Sequence, residues 1–132
     1  MSEAKTIPQR SQIPQEFTWD TTDLYPSDQA WQEDFQALQT MTATLAGYDG
    51  RLGESARTLL DFVTLEQEAG EKLVRLMDYA QRRSDEDTRV ADYQAMVGKI
   101  TTQYVAFSQA TAFEVPQILA LPQEMLEEFM AQ

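Results

Sequence analysis

The chain has 132 residues, which is long enough for one domain with its own hydrophobic core. Its 22 acidic and 10 basic residues give a formal net charge of -12, and such a surface disfavours nucleic acid and anionic lipid because both attract Lys and Arg. The absence of cysteine and histidine excludes disulfide bonds, thiolate catalysis, the usual zinc ligands and the commonest general base.

The hydrophobic residues occur in short clusters along the chain. No run of about 18 apolar residues is present, so no transmembrane helix is expected. The first residues are polar and lack the apolar stretch of a secretory signal. We therefore expect a soluble, cytoplasmic protein that does not contact a membrane.

Two segments precede the predicted helices. Residues 1–16 are polar and show no hydrophobic period, which predicts a flexible N-terminal arm. The remaining residues, 17–132, are predicted to form one helical domain. In its first segment, residues 17–25, Trp19 and Tyr25 supply apolar area and the residues between them favour turns. We expect this segment to be ordered, non-helical and to lie across the domain.

The first helix is predicted to start after Ser27, which can cap it, with Asp28 at the positive end of the helix dipole. Spacings of three and four separate the residues of one face, namely Trp31, Phe35, Leu38, Thr42 and Leu45. This spacing is typical of a helix packed on one face. Gly47 is expected to end the helix, and Gly50 and Gly53 mark the following loop.

A second helical region begins after Ser55, its predicted cap. Its apolar positions continue, with imperfections, through Leu59, Leu60, Val63, Leu65, Ala69, Leu73, Leu76 and Ala80. Gly70 lies within this pattern and costs about 1 kcal/mol relative to alanine. We favour a short helix and then a long one, with a break between Thr64 and Gly70, although the sequence leaves open whether residues 55–83 form one helix or two.

A third helix is predicted after the polar link at residues 84–87, with Asp87 as its cap. Its apolar positions fit a heptad pattern, namely Val90, Tyr93, Val97, Ile100, Tyr104 and Phe107. Two long helices joined by a short link predict an antiparallel hairpin. Val115 and Pro116 are expected to close the third helix, and Pro116 and Pro122 to open two short ones.

These elements predict an all-α fold. We expect an antiparallel helical bundle or a long helical hairpin with short C-terminal helices, preceded by a non-helical N-terminal arm. No segment has the pattern of a strand, and no internal repeat is present.

The acidic link between the two long helices resembles part of a calcium loop. An EF-hand needs oxygen ligands at alternating positions and a central glycine after Asp85, Glu86 and Asp87. Arg89 and Val90 stand at those positions instead. Capping and surface charge are therefore the simpler interpretation.

Two other acidic sets are Asp20, Asp23 and Asp28, and Glu66, Glu68 and Glu71. The first set could bind a metal or act in acid–base chemistry, but its position at a helix start already explains it as turns and caps. The second set lacks the histidine that a di-iron bundle pairs with its glutamates. Neither set is assigned a metal.

Four arginines gather around the predicted hairpin tip, namely Arg75, Arg82, Arg83 and Arg89. They could grip an anion or a peptide carboxylate. Neutralisation of the neighbouring acids is the simpler interpretation. The residues alone therefore predict no catalytic, cofactor-binding or metal-binding residue in this chain.

Several segments together resemble the start of the oligoendopeptidase F family, zinc metallopeptidases of the thimet oligopeptidase class. Their order and spacing match that family from about Ile13 to Gln132. The segments are WDTTDLYPSD (19–28) followed by Trp31, GRLGESA (50–56) followed by Leu59 and Leu60, Tyr79 and Ala80 followed by SDEDTR (84–89), and ILALP (118–122) running into LEEF (126–129). Each segment consists mostly of caps and turns, and their combination is what makes the resemblance specific.

The resemblance implies a much longer intracellular enzyme that cleaves short peptides at a zinc ion held by His-Glu-x-x-His and a further glutamate. This chain contains no such motif, so it inherits no catalytic role, and zinc would belong to the full-length enzyme. We expect the N-terminal helical domain of such a peptidase. Its partner would be the missing catalytic domain of the same polypeptide, and its helices would form part of the wall of a channel for short peptides.

A stand-alone acidic helical interaction or regulatory module is the alternative, and an acidic anion-mimicking inhibitor is a weaker one. The amphipathic segment from Met125 to Phe129 lies at the end of the chain without a stop signal, which favours a fragment. In a fragment, apolar helix faces that normally contact the catalytic domain are exposed. We therefore expect self-association, most simply into a homodimer.

Overall fold

Three long helices account for most of the chain. The computed structural model describes residues 6–132. The helices are α1 (Asp28–Ala46), α2 (Ala56–Glu86), α3 (Ala91–Thr111), α4 (Glu114–Ala120) and α5 (Gln123–Met130), with 3-10 turns at Arg10–Gln12, Gln15–Phe17 and Thr21–Asp23. No strand occurs in the part of the chain that the structure describes, and the all-α prediction is confirmed.

The two predicted serine caps are both formed. The hydroxyl of Ser27 accepts a hydrogen bond from the backbone N–H of Ala30 at 3.1 Å. The hydroxyl of Ser55 accepts one from the N–H of Thr58 at 3.0 Å. Each bond satisfies a backbone donor that has no partner within its helix, and so fixes where α1 and α2 begin.

Helix α2 is continuous over its 31 residues, so the expected break between Thr64 and Gly70 is wrong. Ala69 and Leu73 lie on either side of the glycine and are both buried. The buried face of α2 therefore continues through Gly70. Its packing outweighs the intrinsic cost of one glycine in a helix.

Helices α1 and α2 run antiparallel. The indole N–H of Trp31 donates to the backbone carbonyl oxygen of Leu76 at 2.9 Å, and Lys72 forms an ion pair with Asp34. As α1 advances from Trp31 to Asp34, its partner on α2 retreats from Leu76 to Lys72. This order fixes the relative direction of the two helices.

Helix α3 folds back along α2, as the predicted hairpin requires. The side-chain amide of Gln94 donates to the hydroxyl of Ser84 at 2.8 Å beside the connection. Farther along, the amide of Gln103 reaches Thr42 of α1 at 2.9 Å. The three long helices thus contact one another pairwise as an up-down-up bundle.

The core lies where the three long helices meet. Its largest fully buried side chains are Trp31, Phe62, Leu38, Leu45, Leu52, Leu76 and Ile100. Phe62 packs against the rings of Tyr48 and Phe113 at centroid distances of 5.6 and 5.5 Å. In residues 6–132, no helix combines the length and apolarity needed to cross a bilayer.

The buried face of α3 is rotated from the predicted heptad pattern. Met96, Gln103 and Phe107 are buried with Ile100, whereas Tyr104 is 50% exposed. Gln103 can be buried although it is polar, because its side-chain amide donates a hydrogen bond to Thr42. A pattern of apolar residues alone therefore places the centre of this face incorrectly.

Two predicted helix ends also differ from the structure. The N-cap position of α3 is Val90, without a side-chain cap, and the carboxylate of Asp87 instead accepts from the N–H of Arg89 at 3.0 Å. Helix α3 ends at Thr111, and Pro116 lies in the first turn of α4. Proline is tolerated there because its missing N–H would have no partner within the helix.

The loop between α1 and α2 holds the C-terminal helices. Gly50 has a φ of 77°, and its N–H donates to the side-chain oxygen of Gln117 at 3.0 Å. A Cβ on Gly53 would lie 2.8 Å from Cδ2 of Leu121. Glycine is therefore favoured at position 50 by its positive φ, and at position 53 by the close contact with the C-terminal segment.

The segment before α1 lies against the end of α2. Arg10 forms an ion pair with Glu86 at 3.1 Å. Tyr25 is buried, as expected, but Trp19 is 82% exposed and packs on no core. Of the predicted arm at residues 1–16, residues 1–5 lie outside the described residues, and the boundary of the arm stays a prediction.

Candidate functional site

One polar network joins the segment before α1 to the middle of α2. The carboxylate of Asp34 accepts hydrogen bonds from the hydroxyl of Tyr25 and from the ammonium group of Lys72. Burial raises the pKa of Asp34, but these two bonds outweigh it, so the pKa lies below its ordinary value of 3.8. The guanidinium of Arg75 lies 5.7 Å from the ring centroid of Tyr25. All four groups have structural partners.

A second network joins the starts of α1 and α3 to the end of α2. The hydroxyl of Tyr79 donates to Asp28 at 2.7 Å. Arg83 donates to Glu86 at 2.9 Å and lies 4.4 Å from the ring centroid of Tyr93. Burial and the bond to Asp28 raise the pKa of Tyr79, which keeps the phenol neutral. This network connects helices and exposes no reactive group.

The structure does not bring the four arginines of the hairpin tip together. Arg83 belongs to the network just described, and Arg75 lies over Tyr25. Arg89 pairs with Asp87 at 2.7 Å, and Arg82 approaches Asp85 at 3.6 Å. Each cation has its own partner, which matches neutralisation of neighbouring groups better than a shared anion site.

The predicted acidic sets are likewise separated. Asp20 accepts from the backbone N–H of Thr22 at 3.0 Å as a turn cap. Burial and the nearby Glu66 raise the pKa of Glu114. Within residues 6–132, no group of three or more acidic side chains is placed to hold a metal ion.

An apolar groove between α2 and α5 is the most distinctive surface feature. Its volume is about 220 Å³, and its lining is almost entirely apolar. The lining residues are Ala56, Leu59, Leu60, Val63, Leu126, Phe129 and Met130. Met130 is 87% exposed and Leu60 is 58% exposed. Helices α4 and α5 bury no residue completely, so this end of the domain presents contact surface rather than core.

Part of this surface is visible in the sequence. The hydrophobic period assigns Leu60 and Val63 to the packed face of the second helix, but both are exposed. The second helix thus has more apolar residues than one buried face can hold. Such an excess indicates that some of them lie on the surface.

No family model matches the chain. Oligopeptidase PepF of Bacillus subtilis (strain 168) is 38% identical over 127 residues, which cover 96% of this chain and 19% of that protein. Group B oligopeptidase PepB of Streptococcus agalactiae is 30% identical over 121 residues, covering 92% of this chain and 20% of that protein. The chromosomal oligoendopeptidase F of Lactococcus lactis subsp. cremoris is 33% identical over 114 residues, covering 86% and 19%.

A crystal structure of a protein from Chlamydophila abortus has the same fold. The TM-score is 0.78 and the sequence identity is 22%. The match covers 96% of this chain and 22% of that chain. The chain thus spans about a fifth of the length of the proteins it matches. Its relatives at 30–38% identity are oligopeptidases and oligoendopeptidase F proteins, and a match of this extent is consistent with the N-terminal region of an oligoendopeptidase F.

Proposed function

We propose that this chain is the N-terminal helical domain of a zinc-dependent oligoendopeptidase that hydrolyses short peptides. In this proposal the domain forms part of the wall of the substrate channel and carries no catalytic residue. The observation that carries it is the match over 96% of this chain to a fifth of a peptidase. A longer protein can carry its zinc site and catalytic residues in another part of the polypeptide.

The chemistry of the side chains fits a supporting role. The sequence has no histidine or cysteine, and the described acidic residues form no group able to hold a metal. The residues here therefore do not fit a zinc site. Lys72 and Arg83 of α2 pair with Asp34 and Asp28 of α1, which stabilises the relative positions of the two helices.

The channel role is tested by exchanging this domain in the complete polypeptide that the gene encodes. The exchange replaces residues 17–132 with the matching segment of the Bacillus subtilis relative, which preserves the fold at 38% identity. Hydrolysis is then measured on a series of peptides of increasing length. We expect the length preference to move toward that of the donor enzyme, because channel walls determine which substrates enter.

A deletion of residues 17–132 is the harsher version of the same experiment. If both the exchange and a soluble deletion variant keep the original rate and length preference, the channel role is wrong. The 132-residue chain with added zinc is the control, and it should hydrolyse none of the peptides. A gene that encodes only this chain would instead favour a stand-alone acidic interaction or regulatory module.

A further inference from the structure

Helix α2 carries a second apolar stripe beside its buried face. The stripe consists of Leu60, Val63, Gly70, Val74 and Met77, which we call the outer stripe. Its large side chains are exposed by 58%, 39%, 59% and 37% in chain order. An exposed apolar row of this length on one helix is unusual for a surface that meets only water.

From Val63 onward, each member of the outer stripe stands directly after a buried residue of α2. These buried residues are Phe62, Ala69, Leu73 and Leu76. One residue corresponds to a rotation of about 100° around a helix, so the stripe lies well to the side of the core. Its members recur at intervals of three, four and seven residues, the repeat with which one helix packs along another.

Gly70 lies in the middle of the outer stripe and has no function within the described fold. A Cβ built on it would meet no atom within 4 Å, and its φ is not positive. Glycine is nonetheless among the poorest residues for a helix interior. A glycine notch in an apolar stripe permits close approach of another backbone.

The chain already covers one end of the outer stripe with a helix. Leu60 and Val63 line the groove together with Leu126, Phe129 and Met130 of α5. The rest of the stripe, from Gly70 to Met77, continues beyond this contact along α2. Helix α5 therefore begins a layer over the stripe that the described residues do not complete.

The uncovered part of the outer stripe borders an open depression. Gly70 and Val74 line this depression together with Leu24 and with Asp34 and Met41 of α1. A helix along Gly70 and Val74 would therefore have further side chains beside it and would turn the three-helix bundle into a four-helix arrangement.

We propose that a helix from the remaining part of the same polypeptide packs along Gly70, Val74 and Met77. This inference rests on the proposed function, because the chain spans about a fifth of its relatives and a longer protein must supply the occupant. The exposed Glu71 and Asp78 flank the stripe. The occupying helix therefore carries Lys or Arg at its edge and apolar residues at its centre.

The test uses single cysteines, since the chain has none of its own. Val74→Cys places a thiol on the outer stripe, and Gln36→Cys places a matched thiol at an exposed position of α1, outside the depression that Gly70 and Val74 line. Maleimide labelling of each is followed by peptide mass spectrometry in the dilute 132-residue chain and in the complete polypeptide. We expect labelling at position 74 to be at least about ten-fold slower in the complete polypeptide, with labelling at position 36 unchanged.

Several outcomes overturn the proposal. Equal labelling of position 74 in the two proteins means that no segment covers the stripe, and equal slowing at both positions places the contact elsewhere. Slowing in the complete polypeptide that disappears on dilution assigns the stripe to a second copy. If the gene encodes only this chain, the proposed function itself is wrong. That outcome is distinct from a labelling result that contradicts this inference alone.

A second measurement compares two glycines inside helices, Gly70 and Gly98, at which an added Cβ would contact no other atom. Gly70→Ala and Gly98→Ala should each raise the folding equilibrium constant of the 132-residue chain about five-fold, because alanine favours the helix and neither Cβ meets an atom within 4 Å. In the complete polypeptide, Gly98→Ala should stay favourable, whereas Gly70→Ala should lower the unfolding temperature. An increase with both variants would contradict a close backbone at Gly70.

Discussion

The side-chain amide of Gln103 on α3 donates a hydrogen bond to the hydroxyl of Thr42 on α1 across 2.9 Å, and both residues are buried. The same hydroxyl donates to the backbone carbonyl oxygen of Leu38 at 2.8 Å. Each polar group therefore has a partner in an otherwise apolar interface. This pair fixes which residue of α3 faces α1.

Thr42→Val should destabilise the chain by about 1–3 kcal/mol. The substitution keeps the shape of the side chain but leaves the amide of Gln103 without its acceptor, and a buried unpaired donor is costly. Urea unfolding followed by circular dichroism measures the change. The double variant Thr42→Val, Gln103→Leu should lose less than Thr42→Val alone, since both partners are then apolar. Equal losses would show that the hydrogen bond does not couple the two positions.

Acid unfolding should depend on Asp34. Its pKa is lower in the folded chain than the ordinary 3.8, because the bonds from Lys72 and Tyr25 outweigh the effect of burial. A carboxyl group with a lowered pKa contributes stability above its unfolded pKa and loses it as the pH falls through the folded value. Asp34→Asn should therefore flatten the dependence of the unfolding free energy on pH below about pH 4.

The matched control for this titration is Asp61→Asn. Asp61 pairs with Arg57 within one helix, and the two side chains are 42% and 79% exposed, so such a pair contributes little. We expect its acid profile to follow that of the original chain. If Asp34→Asn gave the same profile as the control, the network around Asp34 would not be a source of acid sensitivity.

Gly53→Ala should loosen the C-terminal helices. The new Cβ would lie 2.8 Å from Cδ2 of Leu121, and the leucine must shift at a cost of about 1 kcal/mol. Thermal unfolding and the rate of proteolysis within α4 and α5 report the effect. On a Leu121→Ala background the same substitution should have almost no effect, because the clashing atom is absent. A persistent loss there would point to a different cause.

The 132-residue chain should self-associate through its exposed apolar surface, most simply as a dimer. Leu60 and Val74 are 58% and 59% exposed on one helix, and such patches bind one another when no other partner is present. Sedimentation velocity over a range of concentrations measures the association. Leu60→Glu with Val74→Glu should give a monomer, whereas Gln36→Glu on the exposed side of α1 should not. A monomer at high concentration for the original chain would contradict this expectation.

Local chemistry made the start of each of the first two helices predictable. Ser27 and Ser55 have hydroxyls that can satisfy backbone donors, and both caps were placed correctly from sequence. The resemblance to the oligoendopeptidase F family was also correct and is supported by relatives up to 38% identical. These features depend on neighbouring residues or on the order of short motifs.

The errors in the continuity of α2, in the buried face of α3 and in the exposure of Leu60 and Val63 came from contacts between residues far apart in the chain. The continuity of α2 through Gly70 depends on packing against α1 and α3, which a local glycine penalty does not include. The rotation of α3 depends on the partner that Gln103 finds on another helix. The exposed Leu60 and Val63 cannot be separated from core residues by hydrophobicity alone, because whether they are buried depends on which surfaces another element covers.

Helix α2 has a mechanical consequence for any protein that contains it. Its 31 residues form a rod roughly 46 Å long. One end is tied to Arg10 through Glu86, and the other lines the groove with Leu126 and Phe129. Because the rod is this long, any tilt of α2 about its α5 end would displace the 3-10 turn at Arg10–Gln12 farther than it displaces the groove.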